Sequence, residues 1–75
     1  MKYAHAHKIS KASENRLKLA LKELFGLTRV FSCRELAARS GQGWFRAKVF
    51  LREQLKHGVI FEINSKQGKL YGQHL

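Results

Sequence analysis

The apolar residues of this chain change period twice, and the changes divide it into helices followed by strands. Leu17, Ala20, Leu21, Leu24 and Phe25 recur at i, i+3, i+4, i+7 and i+8, while Arg16, Lys18, Lys22 and Glu23 fall outside that stripe. This spacing predicts a helix over residues 14–25, with Ser13 as its N-cap and Gly26 as the glycine that ends it. Trp44, Ala47, Leu51 and Leu55 mark one face of another helix, which begins at Gly43 or Trp44, runs to Lys56 and is closed by Gly58. Residues 59–63 then alternate, with Val59, Phe61 and Ile63 on one side. Residues 69–72 form a second β-rich run after the loop 64–68, so the tail reads as a hairpin.

Between the two long helices lies the best-specified local signal. Ser32 and Glu35 have the S-x-x-E spacing of a capping box, and Phe31 and Leu36 stand at the two positions of a hydrophobic staple. A short helix over Cys33–Ser40 follows, and Gly41 lies where the chain must leave it through positive φ. A second helix then starts almost at once, which is the arrangement of a helix-turn-helix. Arg29, Val30 and Phe31 are too few to stand alone as a strand, but they are available to pair with a later one. Residues 1–10 are polar and basic without an apolar period, and read as a flexible arm preceding a domain over 11–75.

Charge indicates what such a domain would bind. Fifteen Lys and Arg oppose five Glu, a net charge of +10 over 75 residues with no aspartate. A field of that sign seeks polyanions. No apolar run approaches the ~20 residues needed to span a bilayer, and Met1 to His7 lacks the apolar core of a signal peptide, so no membrane partner and a cytoplasmic location are expected. The single cysteine, Cys33, can form no internal disulfide, which suits a reducing compartment.

Helix, short strand, helix, turn, helix and two-stranded hairpin is an order that resembles the winged helix-turn-helix DNA-binding superfamily over about residues 13–72. Leu36, Ala37, Gly41, Ala47 and Phe50 match the apolar and glycine spacing of its helix-turn-helix units, and the run from Leu51 through Gly58 to Ile60 looks like a recognition helix passing into a wing. The chain differs from members of that superfamily in its bulky Trp44-Phe45 pair, where small polar residues are common, and in having no Ser, Thr or Asp to cap the third helix. The resemblance implies an α+β fold of three helices and a C-terminal β-hairpin wing. It also implies a third helix in the major groove of double-stranded DNA, with the hairpin along the adjacent backbone or minor groove.

The residues taken by themselves agree with that placement. Phe45, Arg46, Lys48, Val49, Arg52 and Lys56 lie off the core face of the third helix. Arg46 and Lys48, early in that helix, suit base edges, with a guanidinium reaching guanine O6 and N7. Gln42 in the turn suits adenine or a phosphate, and Val49 a thymine methyl. Arg52 and Lys56, like Lys66 and Lys69 on the hairpin, suit phosphates, which fix register without reading sequence. The start of the second helix offers backbone N–H groups to a further phosphate. Trp44 is assigned to the core between helices two and three, and Phe45 to partial core or an exposed contact.

The function expected is therefore a sequence-specific DNA-binding protein, a small transcriptional regulator or an accessory factor in replication or recombination, with a homodimer as one possible binding form. Two alternatives remain open: an RNA-binding, ribosome-associated module, and a protein-interaction module such as a small inhibitor of a host complex, docking through Trp44, Phe45 and the hairpin. No spacing of a metal site, nucleophile elbow or phosphate loop is present, so neither an enzyme nor a cofactor is expected. His5 and His7 form an H-x-H pair without a third ligand. The first turn of the second helix, with Arg34 beside it, is expected to lower the Cys33 pKa.

Overall fold

A computed structural model describes residues 9–74. His5 and His7, and the arm as far as residue 8, lie outside the described residues. Three helices, α1 (Lys11–Leu27), α2 (Cys33–Ser40) and α3 (Trp44–Lys56), precede an antiparallel hairpin of β1 (Ile60–Ser65) and β2 (Gly68–Gln73). This is the α+β layout expected, and it is consistent with a winged helix-like arrangement. No helix among the described residues is long and apolar enough to cross a membrane.

The stripe read from the sequence buries Leu17, Ala20, Leu21 and Leu24 of α1 against Leu36 of α2 and Ala47, Phe50 and Leu51 of α3, with Ile60 and Tyr71 of the hairpin closing the core. Helix α1 starts earlier and ends later than its apolar period suggests. Its N-cap is Ser10, whose Oγ accepts the Ser13 N–H at 3.1 Å, while Ser13 lies buried inside the first turn. Two serines three residues apart compete for the cap. Ser10 prevails in a geometry that also lets Ile9 pack against the core. Gly26 stays within the helix, which tolerates it at a cost of about 1 kcal/mol relative to alanine. The chain leaves only at Thr28, whose extended backbone still donates its N–H to Leu24.

Both halves of the capping box are present at α2. Glu35 N–H donates to Ser32 Oγ at 3.2 Å, and Ser32 N–H donates to Glu35 Oε1 at 2.8 Å. Gly41 follows at φ 72°. We expect Ser32→Ala to destabilise the fold by ~1 kcal/mol and to lower the melting midpoint by ~4–8 °C, read by thermal denaturation. An unchanged midpoint would mean that the box contributes nothing to holding α2. Helix α3 begins at Gly43 without a side-chain cap. It ends in a Schellman arrangement, with Gly58 N–H donating to Leu55 O at 3.1 Å and Val59 N–H to Gln54 O at 3.0 Å around a Gly58 at φ 74°.

Residues 29–31 do pair with a later strand. Phe31 and Tyr71 form an antiparallel bridge in which each N–H donates to the other's carbonyl, at 2.8 and 2.7 Å. The hairpin itself differs from the sequence expectation in both loop and face. Its strands pair to Ser65↔Gly68, leaving a two-residue loop of Lys66 and Gln67 in place of the five residues 64–68. Ser65 explains the tightness: its Oγ accepts from Gln67 N–H at 3.2 Å and donates to Gly68 O at 2.7 Å. The buried face is that of Ile60 and Tyr71. Val59 and Ile63 are exposed, so the alternation is offset by one residue from the expected set.

Candidate nucleic-acid interface

Seen along α3, Ala47, Phe50 and Leu51 face the core, which leaves Phe45, Val49, Arg52 and Lys56 on the opposite stripe at i, i+4, i+7 and i+11. Arg52, Lys56 and Phe45 are exposed there, Phe45 at 54%. Val49 is half-buried and lines a groove with Ile9, Glu14, Lys18 and His57, beside the start of α1. Arg46 lies on one flank, where its Nη1 donates to Gln42 Oε1 at 3.4 Å, so these two expected contact residues are neighbours. Lys48 lies on the other flank, toward the hairpin.

Trp44 is not in the core. Its side chain is 54% exposed, and the place it was expected to fill belongs to Phe50. The core face of α3 is rotated from the stripe beginning at Trp44 toward Ala47, Phe50 and Leu51. Trp44 instead carries Lys48 over its ring, the Nζ 4.7 Å from the ring centroid. The two line a cleft between the starts of α2 and α3 and the hairpin, together with Arg34, Gln67, Lys69 and Tyr71. Arg34 and Gln67 were not among the expected contact residues. Both follow from the topology, Arg34 because Leu36 takes the inward side of α2 and Gln67 because the tight turn lifts it to the hairpin tip.

Carboxylates are consumed within the fold. Glu14 pairs with Lys18, Glu23 with Arg39, Glu53 with His57 and Glu62 with Lys69, while Glu35 is held in the capping box. These pairs are solvent-exposed and stabilise little, but they fix which cations stay unneutralised. Among the described residues Arg34, Arg46, Lys48, Arg52, Lys56 and Lys66 form no ion pair. Lys11, Arg16 and Lys22 of α1 and Arg29 are likewise without an ion pair, so α3 is set apart by the hairpin beside it and not by unpaired charge alone. Lys66 sits at the hairpin tip. Lys69 is tied to Glu62 at 3.2 Å and must exchange that partner to reach a phosphate. The start of α2 is less inviting to an anion than expected, because the Glu35 carboxylate already occupies the Ser32 N–H.

Cys33 behaves oppositely to the expectation. Burial pushes its thiol pKa up, with Lys48 opposing, and its Sγ donates to Trp44 O at 3.7 Å. Tyr71 is also pushed up, by burial first, then by Glu62 and Cys33, with Arg52 opposing. A raised pKa in the folded state means that this contribution to stability is full below the ordinary values of 9.0 and 10.0 and is lost as pH climbs through the folded values. We expect iodoacetamide to alkylate Cys33 in the folded chain more slowly at pH 8 than in the urea-unfolded chain, because less thiolate is present. Faster alkylation in the folded state would restore activation by the helix end.

No family model, curated protein or solved structure matches this chain.

Proposed function

We propose that the protein binds double-stranded DNA through α3 and the hairpin, as a winged helix-turn-helix does, and serves as a small sequence-specific regulator of transcription or an accessory factor in replication or recombination. The observation that supports this reading is the division of charge. All five glutamates have partners within the chain, while Arg46, Lys48, Arg52 and Lys56, which form no ion pair among the described residues, lie off the core face of one helix. Such a helix has the dimensions to enter a major groove, and the hairpin extends the positive surface toward the adjacent backbone.

Fluorescence anisotropy against a random-pool-selected DNA duplex, and against an RNA duplex at matched salt, tests the proposal. Binding to the DNA should weaken linearly in log Kd against log salt. Preference for the RNA would transfer the same surface to the RNA-binding reading. In the double variant Lys66→Ala with Lys69→Ala the slope should fall by about 1.8, since each lost phosphate contact releases one counterion fewer. An unchanged slope would remove the hairpin from the interface.

A further inference from the structure

The cleft between the start of α3 and the hairpin presents, within about 550 Å³, an exposed indole, three cations and the amide of Gln67. Trp44 is half-exposed although a tryptophan in so small a domain would ordinarily be drawn into the core. Lys48 holds its ammonium over one face of the ring, 4.7 Å from the centroid, with Arg34 and the Glu62-paired Lys69 on the other walls of the same cleft. Glu35, the one carboxylate lining the cleft, has Oε1 bound to the Ser32 N–H.

An aromatic face beside a cation is the pairing that an unstacked nucleotide requires: a π surface for the base and a positive charge for its phosphate. We propose that this cleft receives an unpaired nucleotide, the base stacking on the face of Trp44 that Lys48 leaves open and a phosphate of the same strand lying on Lys48, with Arg34 adding to the positive field and Lys69 joining it once it exchanges Glu62 for the phosphate. The inference rests on the DNA-binding reading and narrows its target to duplexes carrying an extrahelical base, a flap or a junction. An apolar partner surface is disfavoured by Arg34 and Lys48, which form no ion pair among the described residues and would have to be desolvated without counter-charge.

Trp44 is the chain's only tryptophan, so its emission reports on this cleft alone. The full chain should be titrated with a 20-base-pair duplex and with the same duplex bearing one unpaired adenine. The bulged duplex should bind roughly 5- to 150-fold more tightly, the range that one base–aromatic stack supplies, and should quench the tryptophan emission strongly. In Trp44→Leu, confirmed folded by its melting transition, the ratio of bulged to intact affinity should fall close to one. Equal affinity for the two duplexes with unchanged emission would overturn the cleft proposal and leave duplex binding standing. Failure to bind either duplex at low salt would overturn the underlying reading and the cleft with it. A tryptophan signal that follows protein concentration without nucleic acid would assign the cleft to self-association and also overturn the proposal.

Discussion

Replacing Phe31 with alanine should cost ~3–5 kcal/mol, the range for removing a buried phenylalanine ring. For 75 residues the whole folding free energy is on the order of 4–11 kcal/mol, so the variant should be marginally folded at best. Phe31 is 1% exposed and stands where three elements meet. Its ring lies 6.3 Å from Phe25 at the end of α1 and 6.2 Å from Tyr71 in β2, and its backbone makes the two-bond bridge to Tyr71. It also stands at the staple position before α2. The loss should therefore loosen the hairpin and α2 together, and not a single element. Urea and thermal melts should show the midpoint falling by more than ~12 °C. The exposed Leu19→Ala should stay within about 0.5 kcal/mol of the parent chain. A fall of less than ~4 °C for the Phe31 variant would show that the bridge and its ring do not hold the hairpin to the helices.

The same residue illustrates what the sequence made legible. Phe31 could be placed before α2 because the capping box and staple are local rules, satisfied by side chains within five positions of one another. Its pairing could be anticipated as a possibility, but its partner could not, since Tyr71 is forty residues away and no local rule reaches that far. The α1 stripe and the exit of α3 through Gly58 were legible for the same local reason.

Three features were not, each because a tertiary choice decided among locally equal options. Ser10 and Ser13 are equivalent caps until Ile9 finds the core. The strand face is set by the Ser65 turn and by the bridge to Phe31, and an offset of one residue exchanges Phe61 for Ile60. Trp44 fits the helical period of α3 as well as Phe50 does, and only the placement of α2 decides which of them is covered. Gly72 is the most hidden of all. A Cβ there would stand 2.6 Å from Phe61 Cζ and 2.8 Å from Arg29 O. Glycine is required by a close approach between β2 and the loop before α2, whereas in sequence it reads only as a weak strand residue.

For the interface, the substitution with the largest expected effect is Arg46→Ala. Arg46 sits in the first turn of α3, the end of a recognition helix that contacts base edges in a helix-turn-helix. Among the described residues its guanidinium donates one long hydrogen bond, 3.4 Å to Gln42 Oε1, and no carboxylate pairs with it. Exchanging that bond for guanine O6 and N7 replaces a weak neutral acceptor with two parallel ones. Loss of the pair should weaken binding to the preferred duplex by ~1–3 kcal/mol and relax base preference at one position. Arg52→Ala, six residues further along, provides the contrast. A phosphate contact there should cost a similar fraction of affinity on every sequence and lower the salt slope by about 0.9. Anisotropy titrations of both variants on the selected duplex and on a scrambled one separate the roles. If Arg46→Ala weakens the two duplexes equally, its guanidinium clamps a phosphate, and base reading must be sought among Gln42, Lys48 and the aromatic pair at the head of α3.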